Sequence, residues 1–370
     1  MYDFHGIIFA YSATDELGEL VRRRTAASLP FCGRYRLIDF SLSSMMNAGI
    51  RDVGIIMQRD YQSLLDHIGS GKNWDMSRRY GGLRMLPPFG LPEYHRGNYA
   101  GTIEALNAVA SYVRGIPQKH IVLLLGSTCA NIDLTAATRR HIRSGAEITA
   151  ICSASELSGS HHRFVLDEEG MVKQLLFDRE EQGEGLPSLE GYVIKKDTLL
   201  RMMDKCKALN LFRFHKDALS MFLAEGGRVA AYVHEGYAAS IRSVADYYRC
   251  SMDMLNSEHR RQLFPAERPV RTRAHEEVST YYGENASSKN SLVADNCIIE
   301  GSIENCIIFP GVRIARGAKL TNCIVMKGST IGEWTELNCV ISDKYCSYSP
   351  GITITGSPKL PIVVPKDKKI

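Results

Sequence analysis

Asn296-Cys-Ile-Ile299, Asn305-Cys-Ile-Ile308, Asn322-Cys-Ile-Val325 and Asn338-Cys-Val-Ile341 carry one pattern through the last third of the chain. Between them run two aliphatic triplets: Ile308, Ile314 and Leu320, then Val325, Ile331 and Leu337. Members of a triplet are six residues apart, and the triplets are offset by 17. Gly311, Gly317, Gly328 and Gly332 punctuate the same stretch. A six-residue period with one aliphatic anchor and a glycine-rich turn is the hexapeptide signature of a β-helix, in which three short faces per coil stack their anchors into columns. A β-sandwich with coincidental spacing is the alternative. So short a solenoid leaves apolar ends and flanks to be covered, so it is expected to dock on the preceding domain and on other subunits.

Upstream of the repeat, residues 257–290 are charged and polar, contain Pro265 and Pro269, and show no sustained period. They read as a linker that packs on both domains. Residues 1–256 alternate apolar runs with helical patterns: strands over 6–10, 53–57 and 121–125, and helices over 37–49, 62–68 and 102–113. That order predicts a mostly parallel sheet covered by helices on both faces. Ligands of such sheets bind at the C-terminal ends of strands, so the loops after Ala10 and Leu125 are the places to seek chemistry. The expected domains are thus 1–256, a linker 257–290, and a β-helix over 291–370.

The 370-residue length fits two domains, and 44% apolar content supplies them with cores. A net charge of +4 is too mild to argue for nucleic acid. No apolar run reaches the roughly 18 residues of a membrane span. The ten cysteines follow no recognisable secretory leader, lie in apolar strands and form no CxxC pair. They read as buried, reduced thiols of a cytoplasmic protein rather than disulfides or a zinc site.

Three further motifs make the sequence recognisable. Arg34-Tyr-Arg-Leu-Ile-Asp-Phe40, followed by Ser41-Leu-Ser and Asn47-Ala-Gly-Ile50, resembles the block after the phosphate loop of ADP-glucose pyrophosphorylases. Tyr99-Ala-Gly-Thr-Ile-Glu-Ala105 resembles their GTA-x-A segment, and Ser188-Leu-Glu-Gly-Tyr-Val193 their sugar-contacting S-M-G-I-Y-V strand. With the hexapeptide repeats, the resemblance covers nearly the whole chain. It implies an α/β fold, a Rossmann-like nucleotidyltransferase (GT-A-like) domain followed by a left-handed parallel β-helix, usually assembled as a tetramer.

The same resemblance shows what is missing. The family's first strand ends A-G-G-x-G-x-R-L, with a lysine following in R-A-K-P. The glycines let backbone N–H groups approach the triphosphate, while the arginine and lysine neutralise it. Ala10, Leu17, Leu20 and Arg24 keep their places, but the glycines become Tyr11, Ser12 and Thr14, the arginine Glu16 and the lysine Ala26. The family's L-x-G-D-H strand supplies a Mg²⁺ aspartate, and W-x-D-I-G-T a second. Here Ser127 and Ser240 stand at those places, with Arg242 at the following glycine. Mg²⁺ requires hard anionic oxygens, which two hydroxyls do not supply. Asp133 and Asp246 are the nearby carboxylates that could substitute. Phe177-Asp-Arg-Glu-Glu181 falls near the F-x-E-K-P motif and puts Glu180 at the lysine.

The resemblance therefore implies a non-catalytic regulatory subunit that binds no cofactor itself, Mg²⁺ belonging to a catalytic ADP-glucose pyrophosphorylase partner in a hetero-oligomer, most simply a tetramer. Self-association is a further expectation. Arg22, Arg23, Arg24, Arg34 and Arg36 flank the degraded loop. Basic residues matching three of them line an interdomain cleft for phosphorylated effectors in some relatives, so the cluster is a candidate anion site. Gly101, Thr102, Ser188 and Tyr192 match sugar- or base-side positions and form a candidate vestigial pocket, or persist as packing. Weak autonomous nucleotidyl transfer and a homo-oligomeric sugar-phosphate sensor are the competing readings. An acyltransferase, the other common use of a hexapeptide helix, needs a histidine on the solenoid, whereas the last histidine, His275, precedes the repeat.

Overall fold

In the computed structural model, residues 3–11, 16–87, 99–157, 162–177, 184–274 and 277–370 are described. The first strand, Phe4–Phe9, lies at the centre of the main sheet. It pairs in parallel with Val53–Ile56 on one side and His120–Leu125 on the other, and Leu83–Leu86 extends the parallel set. Leu186–Lys195 then runs antiparallel to His120–Leu125, with Ile148–Ser153 antiparallel beyond it and Val229–His234 parallel at its flank. The sheet is thus parallel where the strands were read from the sequence and mixed beyond. Its apolar runs are buried on both faces, as a helix-covered sheet requires.

Helix Ile38–Asn47 ends where the sequence places it. Gly49 takes a left-handed φ of 72° and its N–H returns to the Met46 carbonyl at 2.9 Å. Helix Gln62–Ile68 occupies the expected residues. The helix expected over 102–113 is instead two, Thr102–Ala108 and Ala110–Gly115, because Val109 leaves helical angles (φ −112°, ψ 26°).

The C-terminal third forms three parallel five-stranded sheets, the faces of a left-handed parallel β-helix. The two triplets stack as their spacing requires: Ile308 beside Val325, Ile314 beside Ile331, Leu320 beside Leu337, one pair on each of the three faces and all within one buried cluster. The repeated asparagine has a conformational role. Asn296, Asn305 and Asn322 all adopt left-handed corners, with φ of 59°, 52° and 54°, a region that asparagine tolerates better than most residues. The fourth repeat slips by one residue. Asn338 pairs with Thr321 inside a strand, and Cys339 takes the corner at φ 52°.

The stretch expected as a linker is more structured than its composition implied. Ser257–Leu263 is a helix, and the first solenoid strands, Tyr281–Tyr282 and Ser287–Lys289, lie before residue 291. Between them the chain is pinned by side chains of the first domain. Asn131 donates to the Arg268 carbonyl at 2.7 Å, Trp74 to the Arg271 carbonyl at 3.2 Å, and the Arg271 N–H donates to Ser43 at 2.8 Å. These bonds satisfy a backbone that has no partner strand.

The solenoid docks on the first domain through residues that point out of its coils. Ile307, Phe309, Ile324, Met326 and Ile341 share a buried cluster with Leu17, Leu20, Ala26, Leu29, Phe31 and Tyr247. Each fully buried aliphatic side chain contributes about 1.5–3 kcal/mol, so this seam has the character of a core. All ten cysteines are free thiols, and Cys32 alone is not fully buried.

Candidate functional site

Because Phe9 pairs with Leu125, the loops that follow Ala10 and Leu125 open on one cleft. Tyr11, at the first phosphate-loop glycine, is buried there. Its ring sits edge-on to Phe9 at 6.1 Å and tilts against Tyr99 at 5.7 Å. Burial pushes its phenol far above the ordinary range, so it stays neutral and offers bulk where the family has open backbone. Ser12, Thr14 and Asp15 lie outside the described residues, as do Glu180 and His275. Glu16 is exposed, and its carbonyl accepts from the Val244 N–H at 3.3 Å. Ala26, at the lysine position, is packed among Leu17, Leu20 and Leu29. The cationic side of the cradle has become core.

The two metal positions are brought together as the family frame requires. Ser240 pairs with Thr128, the neighbour of Ser127, across the two-stranded ribbon Thr128–Ala130 with Ala238–Ser240. What stands beside Ser240 is a protein cation. Arg242 donates from Nε to the Ser240 hydroxyl at 3.2 Å, and its guanidinium forms an ion pair with Glu190. Burial lowers its proton affinity, while Asp246 and Glu16 raise it. Glu190 holds a left-handed φ of 53°, the conformation glycine adopts freely. It occupies the glycine of the S-M-G-I-Y-V strand, just as Arg242 occupies the glycine of W-x-D-I-G-T. Two glycines of the cleft have become an ion pair across it. Of the two, Arg242 alone stands out in the sequence. The missed signal was that acquisitions of opposite charge had occurred at two motif glycines.

The residues present do not fit Mg²⁺. Ser127 and Ser240 bring no charge. Asp246 is consumed by a capping box with Ser243 and an ion pair to Arg249 at 2.7 Å. Asp133 caps its own helix and faces Arg268 at 3.8 Å. The nearest fixed charge is Arg242, which repels a cation.

The sugar-side positions have structural duties. The Tyr192 hydroxyl lies 2.7 Å from His215 Nδ1 and 3.2 Å from His162 Nε2, with its ring against Phe214 at 4.7 Å. Burial pulls the His215 imidazole down to about 3, so it is neutral. Ser188 accepts from the Glu190 N–H at 3.0 Å, helping to hold the strained residue. Thr102 begins its helix, and a methyl on Gly101 would run into the Phe212 carbonyl. Gly101→Ala is expected to destabilise the fold by about 1–3 kcal/mol in denaturant unfolding. A neutral outcome would show that this glycine serves a ligand rather than packing.

The five arginines separate. Arg22 pairs with Glu19 at 3.3 Å and Arg23 with Asp367 at 3.2 Å, both on the surface. Arg24 is buried against Asp343 of the solenoid and contributes nothing to a ligand site. Arg34 and Arg36 line a cavity of about 480 Å³ between the domains, with His67, Lys327, Lys344, Glu277 and Asp295. Arg36 is braced by Ser63, whose carbonyl and hydroxyl accept at 2.6 and 2.9 Å, and burial lowers it to about 10. Lys327 pairs with Glu277 at 3.2 Å. Burial, then the charges of Arg36 and Arg24, pull Lys344 down to about 7. Neither lysine stands out in the sequence. They are 17 residues apart, the offset of the aliphatic triplets, so the period that found the solenoid also stacks these cations on successive corners.

A nucleotidyltransferase-type sheet joined to a hexapeptide solenoid defines a relative of the nucleotidyltransferases. Comparison with known proteins agrees: residues 6–176 match the nucleotidyl transferase family model, and residues 275–360 match the GlmU-like C-terminal hexapeptide model. The glycogen biosynthesis protein GlgD of Bacillus subtilis is 32% identical over 98% of this chain and 95% of its own length. GlgD of Geobacillus stearothermophilus is 34% identical over 85% of this chain and 81% of its own. The glucose-1-phosphate adenylyltransferase of Acetivibrio thermocellus is 29% identical over 91% and 80%. The chain belongs to the ADP-glucose pyrophosphorylase (glucose-1-phosphate adenylyltransferase) family. Among the described residues no helix is long and apolar enough to cross a membrane.

Proposed function

We propose that this chain is a non-catalytic regulatory subunit in glycogen synthesis, tuning a catalytic glucose-1-phosphate adenylyltransferase with which it assembles in the cytoplasm. The observation that carries the reading is the Arg242–Glu190 ion pair beside Ser240, with neutral serines at both metal positions. Nucleotidyl transfer depends on positioning and on a metal that spreads developing charge. Two neutral hydroxyls, one of them already bonded to a guanidinium, do not recruit that metal. Kinship with GlgD proteins supports the pathway, and the solenoid offers the family's assembly element. Regulation acts through differential contacts in the complex. Native mass spectrometry of the chain with a catalytic relative is expected to give a mixed oligomer, a tetramer in the simplest case. Homo-oligomers alone would contradict the reading and favour an independent sensor.

The interdomain cavity is the effector site of this reading, taking a phosphorylated metabolite between Arg34, Arg36, Lys327 and Lys344. Lys344 gives it a pH signature. With its pKa down at about 7, the amine is charged below that pH and neutral above it, and a bound anion holds the proton on. Anion affinity is therefore highest below pH 7 and falls as pH rises through it. Calorimetry with inorganic sulfate, whose charge is constant, is expected to show on the order of tenfold weaker binding at pH 8.5 than at pH 6. Lys344→Met should flatten the profile, and Arg36→Ala should weaken binding at both values. A profile unchanged in Lys344→Met would assign the anion to another site.

A further inference from the structure

The sugar-side wall of the cleft carries a second constellation, of which the regulatory reading uses Glu190 alone. His162 starts the strand His162–Leu166, Glu190 lies on Leu186–Lys195, and His215 sits in the π-helical turn Phe214–Leu219, an irregularity frequent at functional sites. One ring nitrogen from each histidine and a carboxylate oxygen of Glu190 lie within 4.8 Å of one another. The two imidazoles stack with centroids 4.0 Å apart. Among the described residues no other group of three histidine, cysteine or acidic side chains converges in this way.

We propose that His162, Glu190 and His215 form a binding site for a zinc-class divalent transition metal. Two imidazoles and one carboxylate are a donor set for zinc, cobalt or nickel; magnesium prefers oxygen alone. Glu190 and His215 already face each other, and His162, stacked on His215, turns to join them. His215 Nε2 lies 3.2 Å from Glu190 Oε2, while Arg242 engages the other carboxylate oxygen and so fixes which one faces the imidazole. The Tyr192 oxygen, 2.7 Å from His215 Nδ1, accepts its N–H in the tautomer that leaves Nε2 for the metal. Such outer partners set the orientation of metal-bound histidines. Metal–ligand bonds of about 2.0–2.2 Å place tetrahedral donors roughly 3.3–3.6 Å apart; the His215–Glu190 pair already has about that spacing, and the movement on binding falls to His162. A fourth position remains for water. The metal ties two strands to the π-helical turn.

The site differs from the family's Mg²⁺ positions in residues and in donor chemistry; it shares Glu190 with the ion pair of the regulatory reading, but metal retention is read independently of turnover and of assembly with a partner. Equilibrium dialysis of the full chain against micromolar Co²⁺, followed by metal analysis and visible absorption, tests it. Wild type is expected to retain one Co²⁺ per chain with the intense bands of a four-coordinate site. Glu190→Gln and His215→Gln, which keep volume and hydrogen bonding, should bind at least tenfold more weakly. Arg242→Ser removes a neighbouring cation and should bind several-fold more tightly. Metal-free melting temperatures of the variants establish that they fold. Failure of wild type to retain Co²⁺ would overturn the proposal. So would the same stoichiometry and spectrum in Glu190→Gln and His215→Gln as in wild type, which would assign the metal to thiols.

Discussion

Asp343→Ala is expected to cost about 3–5 kcal/mol in urea unfolding, the largest stability effect of any single substitution outside the apolar core. Arg24 is 5% exposed and Asp343 2% exposed, and the two face each other across the junction of the domains. Removing the carboxylate leaves a guanidinium that has lost both water and partner, with the Met326 sulfur at 3.9 Å as its remaining side-chain contact. The pair itself is not the source of the stability, because burying two ions costs much of what their attraction returns. Arg24→Met with Asp343→Leu should therefore be far milder than Asp343→Ala alone, and could match wild type. Equal losses in the single and double variants would show that the junction depends on the ion pair and not on the apolar seam of Ile307, Ile324 and Ile341.

The second large effect concerns reversal of the lost chemistry. Ser127→Asp with Ser240→Asp returns both carboxylates, yet is expected to bind Mn²⁺ no more than about twofold better than wild type. Arg242 still stands beside the Ser240 position. At about 4 Å and an effective dielectric near 20, two unit charges interact by about 4 kcal/mol, and a divalent ion doubles this. Adding Glu190→Gly and Arg242→Gly removes the ion pair and restores the glycine backbone. That four-site variant should bind Mn²⁺ at least tenfold more tightly than the two-site variant, read by electron paramagnetic resonance. Strong binding by the two-site variant would mean that the carboxylates alone had been missing and that the ion pair is incidental.

This contrast also marks how far the sequence could be read. Residue losses at known motif positions are visible in a string: Tyr11, Ala26, Ser127 and Ser240 are each one substitution away from a family residue. Compensating gains are not, because Glu190 and Arg242 are 52 residues apart and meet only in the folded chain. The solenoid was the most legible element, since its contacts are between residues one coil apart. Even there, the fourth Asn-Cys pair misled, because the strand register placed Cys339 rather than Asn338 at the corner. Side-chain period and backbone corner are separate constraints, and an identical dipeptide can satisfy either.

The arginine cluster shows the opposite limit. Five arginines within 15 residues look like one site, but the chain turns between them. Arg22 and Arg23 face outward, Arg24 faces the seam, and Arg34 and Arg36 face the cavity, where cations from a segment some 300 residues later complete the set. The segment 257–290 was opaque for a related reason. Its hydrogen bonds go to side chains of distant residues, Ser43, Trp74 and Asn131, and no local period records such partners.

The central claim, that this chain keeps the frame of a nucleotidyltransferase without its chemistry, meets its most direct test in one assay. Pure protein is incubated with ATP, glucose-1-phosphate and either Mg²⁺ or Mn²⁺, alone and mixed with a catalytic relative, and ADP-glucose is measured. The expected result is no product above background from the chain alone, and a shifted effector response when it is mixed with the catalytic relative. Sustained turnover by the isolated chain with either metal would contradict the claim outright.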